Sequence, residues 1–453
     1  MAEITLRQAA QWCGGRVEEK YADITFLGAN NDSRNIKPGQ LFLALQGERD
    51  GHDLIPMAME KGAAAVLCTR SCGDVPAILV EDTRIALGLI AKHECARIGM
   101  KVVGVTGSVG KSTTKEMISC VLESSFKVAK TPANHNNDIG MPMAILAMPE
   151  DTQVAVLEMG MNHFREIAYL SEIARPDVAV IINVGTAHIE YLGSRAGILQ
   201  AKMEILEGLK PDGKAVFNGD DDMLWSCRND ASVKTVYFGV ENGECAVRAE
   251  DVVMCDGMAH FRAVAGDMNF PVELNVEGRH YLLDALAAVS VGLAFGIAPE
   301  QISKQMAAFR NMAGRQEIFR KDGYTVIKDC YNAGPDSMAA ALEVLNAKAG
   351  RHVAVLGDML ELGPTTQAEH YRVGRIAAEK ADLLLTYGPN GSRVISGAIT
   401  GGMPDTKAIA FEEREKLVAA LRRMAQPGDV ILFKGSRGMR MELILEAFLN
   451  KET

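Results

Sequence analysis

The chain has 453 residues, of which 48% are hydrophobic and 23% charged, and a formal net charge of −10. At roughly 150 residues per domain this is about three domains of ordinary globular composition, which excludes a single small core, wholesale disorder and collagen-like or low-complexity classes. Net acidity argues against a nucleic-acid surface, which needs a basic stripe to displace counterions, but a small anionic ligand held by a few local donors stays open.

No apolar run approaches the roughly 18 residues of a membrane-spanning helix, and residues 1–16 carry charges where a secretory signal has an unbroken apolar core. A cytoplasmic chain without membrane insertion is expected. Nine cysteines scatter from Cys13 to Cys330 without a CxxC pair, so reduced thiols are expected rather than a disulfide framework or a zinc site.

In chain order, the first hundred residues show an uneven α/β rhythm, and the pattern changes at Met100-Lys-Val-Val-Gly-Val-Thr. A first boundary is placed near residue 98. From there to about 314, β-rich runs (VVGVT, VAVLEM, VAVIINV) alternate with helix-like stretches, which implies a buried parallel sheet with crossover helices. Residues 235–277 read as antiparallel strands joined by turns at Glu241-Asn-Gly and Asp256-Gly. A helical pair is expected over 281–295 and 299–309, then a connector over 310–316. Beyond it YTVIKD, RHVAVLGD, ADLLLTYG, TKAIAF and DVILFKG each precede a helix-like stretch, the rhythm of a second doubly wound unit. The acidity is concentrated in the middle unit.

The most informative segment runs from Val102 through Thr106-Gly107-Ser108-Val109-Gly110-Lys111-Ser112 into a helical pattern. Gly104, Gly107 and Gly110 allow close backbone approach, so that successive N–H groups and the helix N-terminus face a phosphate. Lys111 supplies a positive charge for the outer phosphates and the Ser112 hydroxyl suits Mg²⁺. The strict G-x4-GK[ST] spacing would place Gly at 105, where this chain has Val105, so the match is to a shorter G-x-x-G-K-S form. Nucleoside triphosphate binding is expected. The fold class expected is α/β in three domains: a small N-terminal α/β domain over 1–98, a central P-loop parallel-sheet ATPase domain over 99–314, and a C-terminal doubly wound Rossmann-like domain over 315–453.

TGSVGKSTTKE resembles the ATP loop of the Mur ligase family, and the resemblance runs essentially end to end. Asp32-Ser-Arg-Asn-Ile-Lys-Pro-Gly and Asp50-Gly-His-Asp resemble its uridine-nucleotide docking segment. Asp329-Cys-Tyr-Asn-Ala-Gly-Pro-Asp-Ser, Gly357-Asp-Met-Leu-Glu-Leu-Gly and Lys434-Gly-Ser-Arg-Gly-Met-Arg resemble segments of the branch that adds D-alanyl-D-alanine to UDP-N-acetylmuramoyl-tripeptide, and these together with the first-domain segments favour that branch over its sister ligases. The resemblance implies ATP and Mg²⁺ as cofactors, an acyl-phosphate intermediate and a peptidoglycan precursor as product. The two peptide substrates are the only partners expected, and a monomer is expected.

Residue by residue, the resemblance gives Glu158 and His188, each after a buried-strand pattern, a role at Mg²⁺. Lys202 in AKMEI matches a lysine that several of these ligases carry as a metal-ligating carbamate; by residue type alone it is a solvated helix lysine. Asn136 and Asn137 match a segment beside the phosphates, although by type alone they are turn asparagines. Arg315 and Asp329 match a pair that contacts phosphate and ribose, so ATP is expected to bridge the second and third domains. Ser33 and Arg34 are matched to the uracil and diphosphate of the uridine nucleotide, or else form a surface turn.

Two segments depart from the family pattern. Where H-N-x-x-N is usual near adenine, the chain reads His280-Tyr281-Leu-Leu-Asp284; Asp284 keeps an acceptor for the adenine amino group, but Tyr281 cannot copy an amide. Gly334 stands where asparagine is usual. Another Mur ligase, a folylpolyglutamate synthase, or a nucleotide-binding protein without ligase chemistry are the competing readings, the last allowed by these departures.

Overall fold

The strands fall into sheets of five, nine and six, with a two-stranded ribbon beside the first. In the computed structural model the described residues run from 3 to 450, apart from 48, 133–134, 230–232 and 313. The architecture is α/β throughout, as the alternating rhythm implies.

The N-terminal sheet pairs short strands between residues 16 and 79. The long helix Thr83–Ile98 then leads to the central sheet, started by the Asp82 side chain, which accepts from the Arg84 and Ile85 amides, and stopped by Gly99 at φ +71. Its apolar residues Leu87, Ile90 and Ala91 share one core with the first sheet and with Leu157 and Ile181 of the next. Burial therefore joins the first two sheets along one face.

The nine-stranded sheet places Lys101–Thr106 between Val154–Glu158 and Val178–Ile181, all parallel. These strands are buried on both faces, which is why they read as continuous apolar runs rather than alternating ones. Their carboxyl ends, at Thr106, Glu158 and Ile181, lie side by side, and loops 107–110, 159–165 and 182–188 leave from one edge. Ligands bind at this edge in open α/β sheets.

The expected antiparallel patch is shorter than its sequence suggested. Lys234–Gly239 pairs parallel with Lys214–Asn218, and Val247–Cys255 joins it in parallel. Antiparallel pairing begins only where Val247–Cys255 meets Met258–Ala265, and continues with Met268–Glu277. The Glu241-Asn-Gly turn is folded instead on the Asp220 carboxylate, which accepts from the amides of Val240, Glu241 and Asn242. Asp256-Gly257 is a true hairpin turn, with φ +51 and +80, the left-handed pair that a two-residue connection demands.

The six-stranded C-terminal sheet has one antiparallel edge strand, Glu317–Lys321, and five parallel strands. Each of the five expected runs is a strand followed by a helix. At its carboxyl edge Asp329 stands beside Lys434. Among the described residues, no helix is long and apolar enough to cross a membrane.

Candidate functional site

Strand Lys101–Thr106 runs through the glycine-rich turn into helix Lys111–Leu122. Gly110 is left-handed at φ +85 and provides no side-chain cap, so the first amides of the helix keep their donors for a ligand. Lys111 is partly buried and folds over the loop, its Nζ donating to Gly107 O at 2.8 Å. Burial pushes its ammonium pKa down, Glu158 opposes that shift and Arg315 adds to it. Asn183 holds the turn's apex: its Oδ1 accepts from Ser108 N at 2.9 Å and Val109 N at 3.0 Å. The Ser108 hydroxyl accepts from Gly185 N.

Glu158, buried at the end of its strand, is the hub of the cluster. Its Oε2 accepts from Ser112 Oγ at 2.9 Å and its Oε1 from Asn136 Nδ2 at 2.9 Å. Arg315, from beyond the central sheet, donates from Nη2 to Ser112 Oγ at 2.9 Å and stacks its guanidinium 3.9 Å over the Tyr331 ring. Segments 203 residues apart in sequence thus meet on one hydroxyl. Asn137 does a different job, accepting from the Gly140 amide where helix Gly140–Leu146 begins.

Lys202 is 1% exposed and has no hydrogen bond or ion pair with any described residue. Burial, reinforced by Lys111, drives its pKa well below the usual lysine value. Burial thus disfavours the charged form of this side chain, which is not the solvated lysine its helix pattern suggests. His188 is left-handed at φ +64 and partly buried. Its Nδ1 lies 3.2 Å from Glu361 Oε2 of the C-terminal domain, without hydrogen-bond alignment.

Asp329 is held by Lys434, whose Nζ lies 2.5 Å from Oδ2. Asp284 sits beneath the phosphate loop: it accepts from Thr114 Oγ1 at 2.6 Å, and a Cβ at Gly110 would come within 2.7 Å of its Oδ1. The Tyr281 hydroxyl accepts from Asn311 Nδ2 at 2.9 Å. A Cβ at Gly334 would meet nothing within 4 Å, so that departure opens space without distorting the backbone.

Ser33 and Arg34 lie in the first domain and touch none of these groups. The Ser33 hydroxyl is buried against Met57, whereas Arg34 is exposed and pairs with Asp32. Sequence reading missed Asn183, Lys115, Glu361 and Lys434 as members of the site. Lys115 and Lys434 stood within quoted motifs, but nothing in a motif tells a buried lysine from a solvated one.

Among the described residues, eight buried side-chain atoms lack a hydrogen-bond partner, and five belong to this edge: Thr106 Oγ1, His135 Nδ1, Thr186 Oγ1, His188 Nδ1 and Arg315 Nε. Buried polar groups are normally satisfied, so such a concentration marks a place that a polar ligand completes. The hydroxyl and carboxylate oxygens of Ser112 and Glu158 are the hard donors Mg²⁺ prefers, and no group of three His, Cys, Asp or Glu able to hold a metal exists among the described residues. A magnesium ion taking further ligands from phosphate and water fits that set.

Comparison with known proteins agrees with this geometry. Residues 105–292 match the Mur ligase middle domain, 314–437 the Mur ligase glutamate ligase domain, and 23–94 the Mur ligase family catalytic domain. The chain is 40% identical to the UDP-N-acetylmuramoyl-tripeptide–D-alanyl-D-alanine ligase of Bacillus subtilis, over 98% of each chain. It superposes on a crystal structure of MurF from Acinetobacter baumannii with a TM-score of 0.91, at 33% identity and 100% coverage of both chains. A MurF ligase from Thermotoga maritima in complex with ADP gives 0.82 at 31% identity, covering 93% of this chain and 96% of that one. These likenesses span the loops that gather Lys111, Ser112, Glu158 and Arg315, and the chain belongs to the Mur ligase family.

Proposed function

We infer that the chain is an ATP-dependent ligase joining D-alanyl-D-alanine to the tripeptide carboxylate of UDP-N-acetylmuramoyl-tripeptide, a step of peptidoglycan precursor synthesis. The observation that carries the reading is the meeting of Arg315 with Ser112 and Glu158 at the phosphate loop. A carboxylate does not condense with an amine in water until it is activated, and the γ-phosphoryl group of ATP provides activation as an acyl phosphate. Transfer between two anions requires positive charge at the phosphates and reactants held in line.

We assign Lys111, the amides from Thr106 to Ser112 and Arg315 to the ATP phosphates, with Asn136 steering Glu158 from the side. Asn137, which caps a helix, supports the loop that carries Asn136. Asp329, held by Lys434, is placed to accept from the ribose hydroxyls. Asp284 supports the phosphate loop through Thr114.

Mg²⁺ would be held by Ser112 and Glu158, with His188 and a carbamate on Lys202 completing the protein's share. Bound there it would neutralise phosphate charge and polarise the γ-phosphoryl group. Carbamate formation needs a neutral amine, and the burial of Lys202 favours that form. Ser33 and Arg34 are assigned to the uridine nucleotide. Working domains of 1–98, 99–314 and 315–453, a cytoplasmic location and a monomeric state complete the proposal.

The test is phosphate release from Mg-ATP with UDP-N-acetylmuramoyl-tripeptide, with and without D-alanyl-D-alanine, and product mass. Release that requires both substrates and yields the pentapeptide supports the reading. Nucleotide binding without product would favour a binding protein that lacks ligase chemistry.

A further inference from the structure

We propose that Lys115 is a resident counter-ion for Glu158, which keeps divalent cations out of the site until nucleotide phosphates arrive. The inference rests on the assignment of Glu158 to the metal made above.

Lys115 is completely buried. It lies three residues beyond Ser112, on the same face of helix Lys111–Leu122. Its Nζ donates to Thr131 O at 2.7 Å and stands 3.3 Å from Glu116 Oε1 and 4.0 Å from Glu158 Oε2. Thr131 registers the two groups against each other: its carbonyl takes the ammonium, while its hydroxyl accepts from the Glu158 amide at 3.0 Å. A charge this deep persists only when paired.

Glu116 does not use up that charge. Its other oxygen is 2.6 Å from Lys130 Nζ, which also lies 3.9 Å from Glu123 Oε1, so Glu116 is shared between two lysines and Lys115 keeps Glu158 as its second carboxylate. Lys111, which interacts electrostatically with Glu158, and Arg315, which donates to the Ser112 hydroxyl bound by Glu158, add two more basic groups to the cluster. A divalent ion approaching the protein alone meets one carboxylate ringed by three cations, and among the described residues no cluster of acidic or histidine ligands offsets them. Polyphosphate reverses the sign of the field, and the same hydroxyl and carboxylate then become ligands. Lys115 acts through Glu158 and is a positioning residue.

If Lys115 merely ties the helix to the neighbouring strand, its removal changes stability and leaves nucleotide-free metal affinity alone. The experiment is Mn²⁺ binding to the full-length protein, read by electron paramagnetic resonance, with and without ADP, in wild type, Lys115→Met and Glu158→Gln. Wild type is expected to bind Mn²⁺ at least about tenfold more weakly without ADP. Lys115→Met is expected to raise nucleotide-free affinity by about tenfold, the effect of removing a neighbouring unit charge. Adding Glu158→Gln should cancel that gain.

Because Lys115→Met leaves Glu116 short of a partner, Lys115→Met with Glu116→Gln is measured alongside it, each with a melting curve. Unchanged nucleotide-free affinity in a folded variant overturns the proposal. So does wild-type Mn²⁺ binding that depends on Glu158 and is equally tight with and without ADP, a result needing no Lys115 variant. Loss of Glu158 dependence in the ADP-loaded protein would instead refute the metal assignment beneath it.

Discussion

Asp284 allows a quantitative test because its environment is so one-sided. It is 5% exposed, and burial pushes its carboxyl up from 3.8 to about 7, against the Thr114 hydrogen bond and the Arg315 charge, which both pull it down. A carboxyl with a raised folded-state pKa favours the folded state fully below pH 3.8, loses that advantage as pH rises to about 7, and is a constant cost above it. At about 1.36 kcal/mol per unit, the cost relative to full protonation is roughly 1.6 kcal/mol at pH 5 and about 4 kcal/mol at pH 8.

Asp284→Asn cannot ionise and keeps an oxygen for Thr114. Any penalty for its new amide N–H groups is independent of pH and cancels when two pH values are compared. The stability of Asp284→Asn relative to wild type should therefore rise by about 2–3 kcal/mol between pH 5 and pH 8. Pulse proteolysis in urea at both pH values measures the difference. An advantage that is the same at pH 5 and pH 8 would refute the burial argument and the placement of Asp284 against the phosphate loop.

Lys111→Ala should leave the melting curve intact while lowering turnover by about a hundredfold or more, the scale for removing one preorganised electrostatic donor; unchanged phosphate release would remove Lys111 from the loop's chemistry. Glu158→Gln should retain ADP binding but need a much higher Mg²⁺ concentration for turnover, and an unaltered Mg²⁺ titration would count against its role. Gly363 is left-handed at φ +49, and a Cβ there would come within 2.6 Å of Glu190 Cβ. Gly363→Ala should therefore strain the loop by about 1–2 kcal/mol and loosen the contact that brings Glu361 to His188. X-ray scattering is expected to show a larger radius of gyration, and an identical profile would mean the contact does not hold the domains together. In ¹³C-bicarbonate, wild type should give a carbamate carbonyl resonance that is absent from Lys202→Ala; if both spectra lack it, Lys202 remains an amine.

The parallel sheets were legible because a strand buried on both faces cannot hide: VVGVT and VAVIINV have no polar face to imitate a helix or an edge. The antiparallel patch was less legible. Lys234–Gly239 looks alike in sequence to the meander strands from Val247–Cys255 on, and the Asp220 carboxylate gathers three amides of the loop that joins the two in parallel rather than as a hairpin. A long-range cap of this kind leaves no mark in local turn chemistry.

The site divides in the same way. Lys111 and Ser112 stand in a motif whose geometry is local, a strand, a tight turn and a helix start, so their neighbourhood follows from spacing. Arg315 and Glu361 reach the site across a domain boundary, and spacing says nothing about which loop of one domain faces which loop of another. Lys115 and Lys202 are the sharpest cases, because each sits on a helix where an exposed lysine would read identically, yet both are buried. Their chemistry then diverges through their neighbours: Lys115 has Glu116, Glu158 and a carbonyl within 4.0 Å, whereas Lys202 has no hydrogen bond or ion pair among the described residues and burial pushes its pKa down. The same residue type is thus ion-paired at one position and, at the other, biased by burial toward the neutral amine that the proposed carbamate requires. That difference suits the proposed site, in which phosphates and an added carbamate ligand would meet a metal.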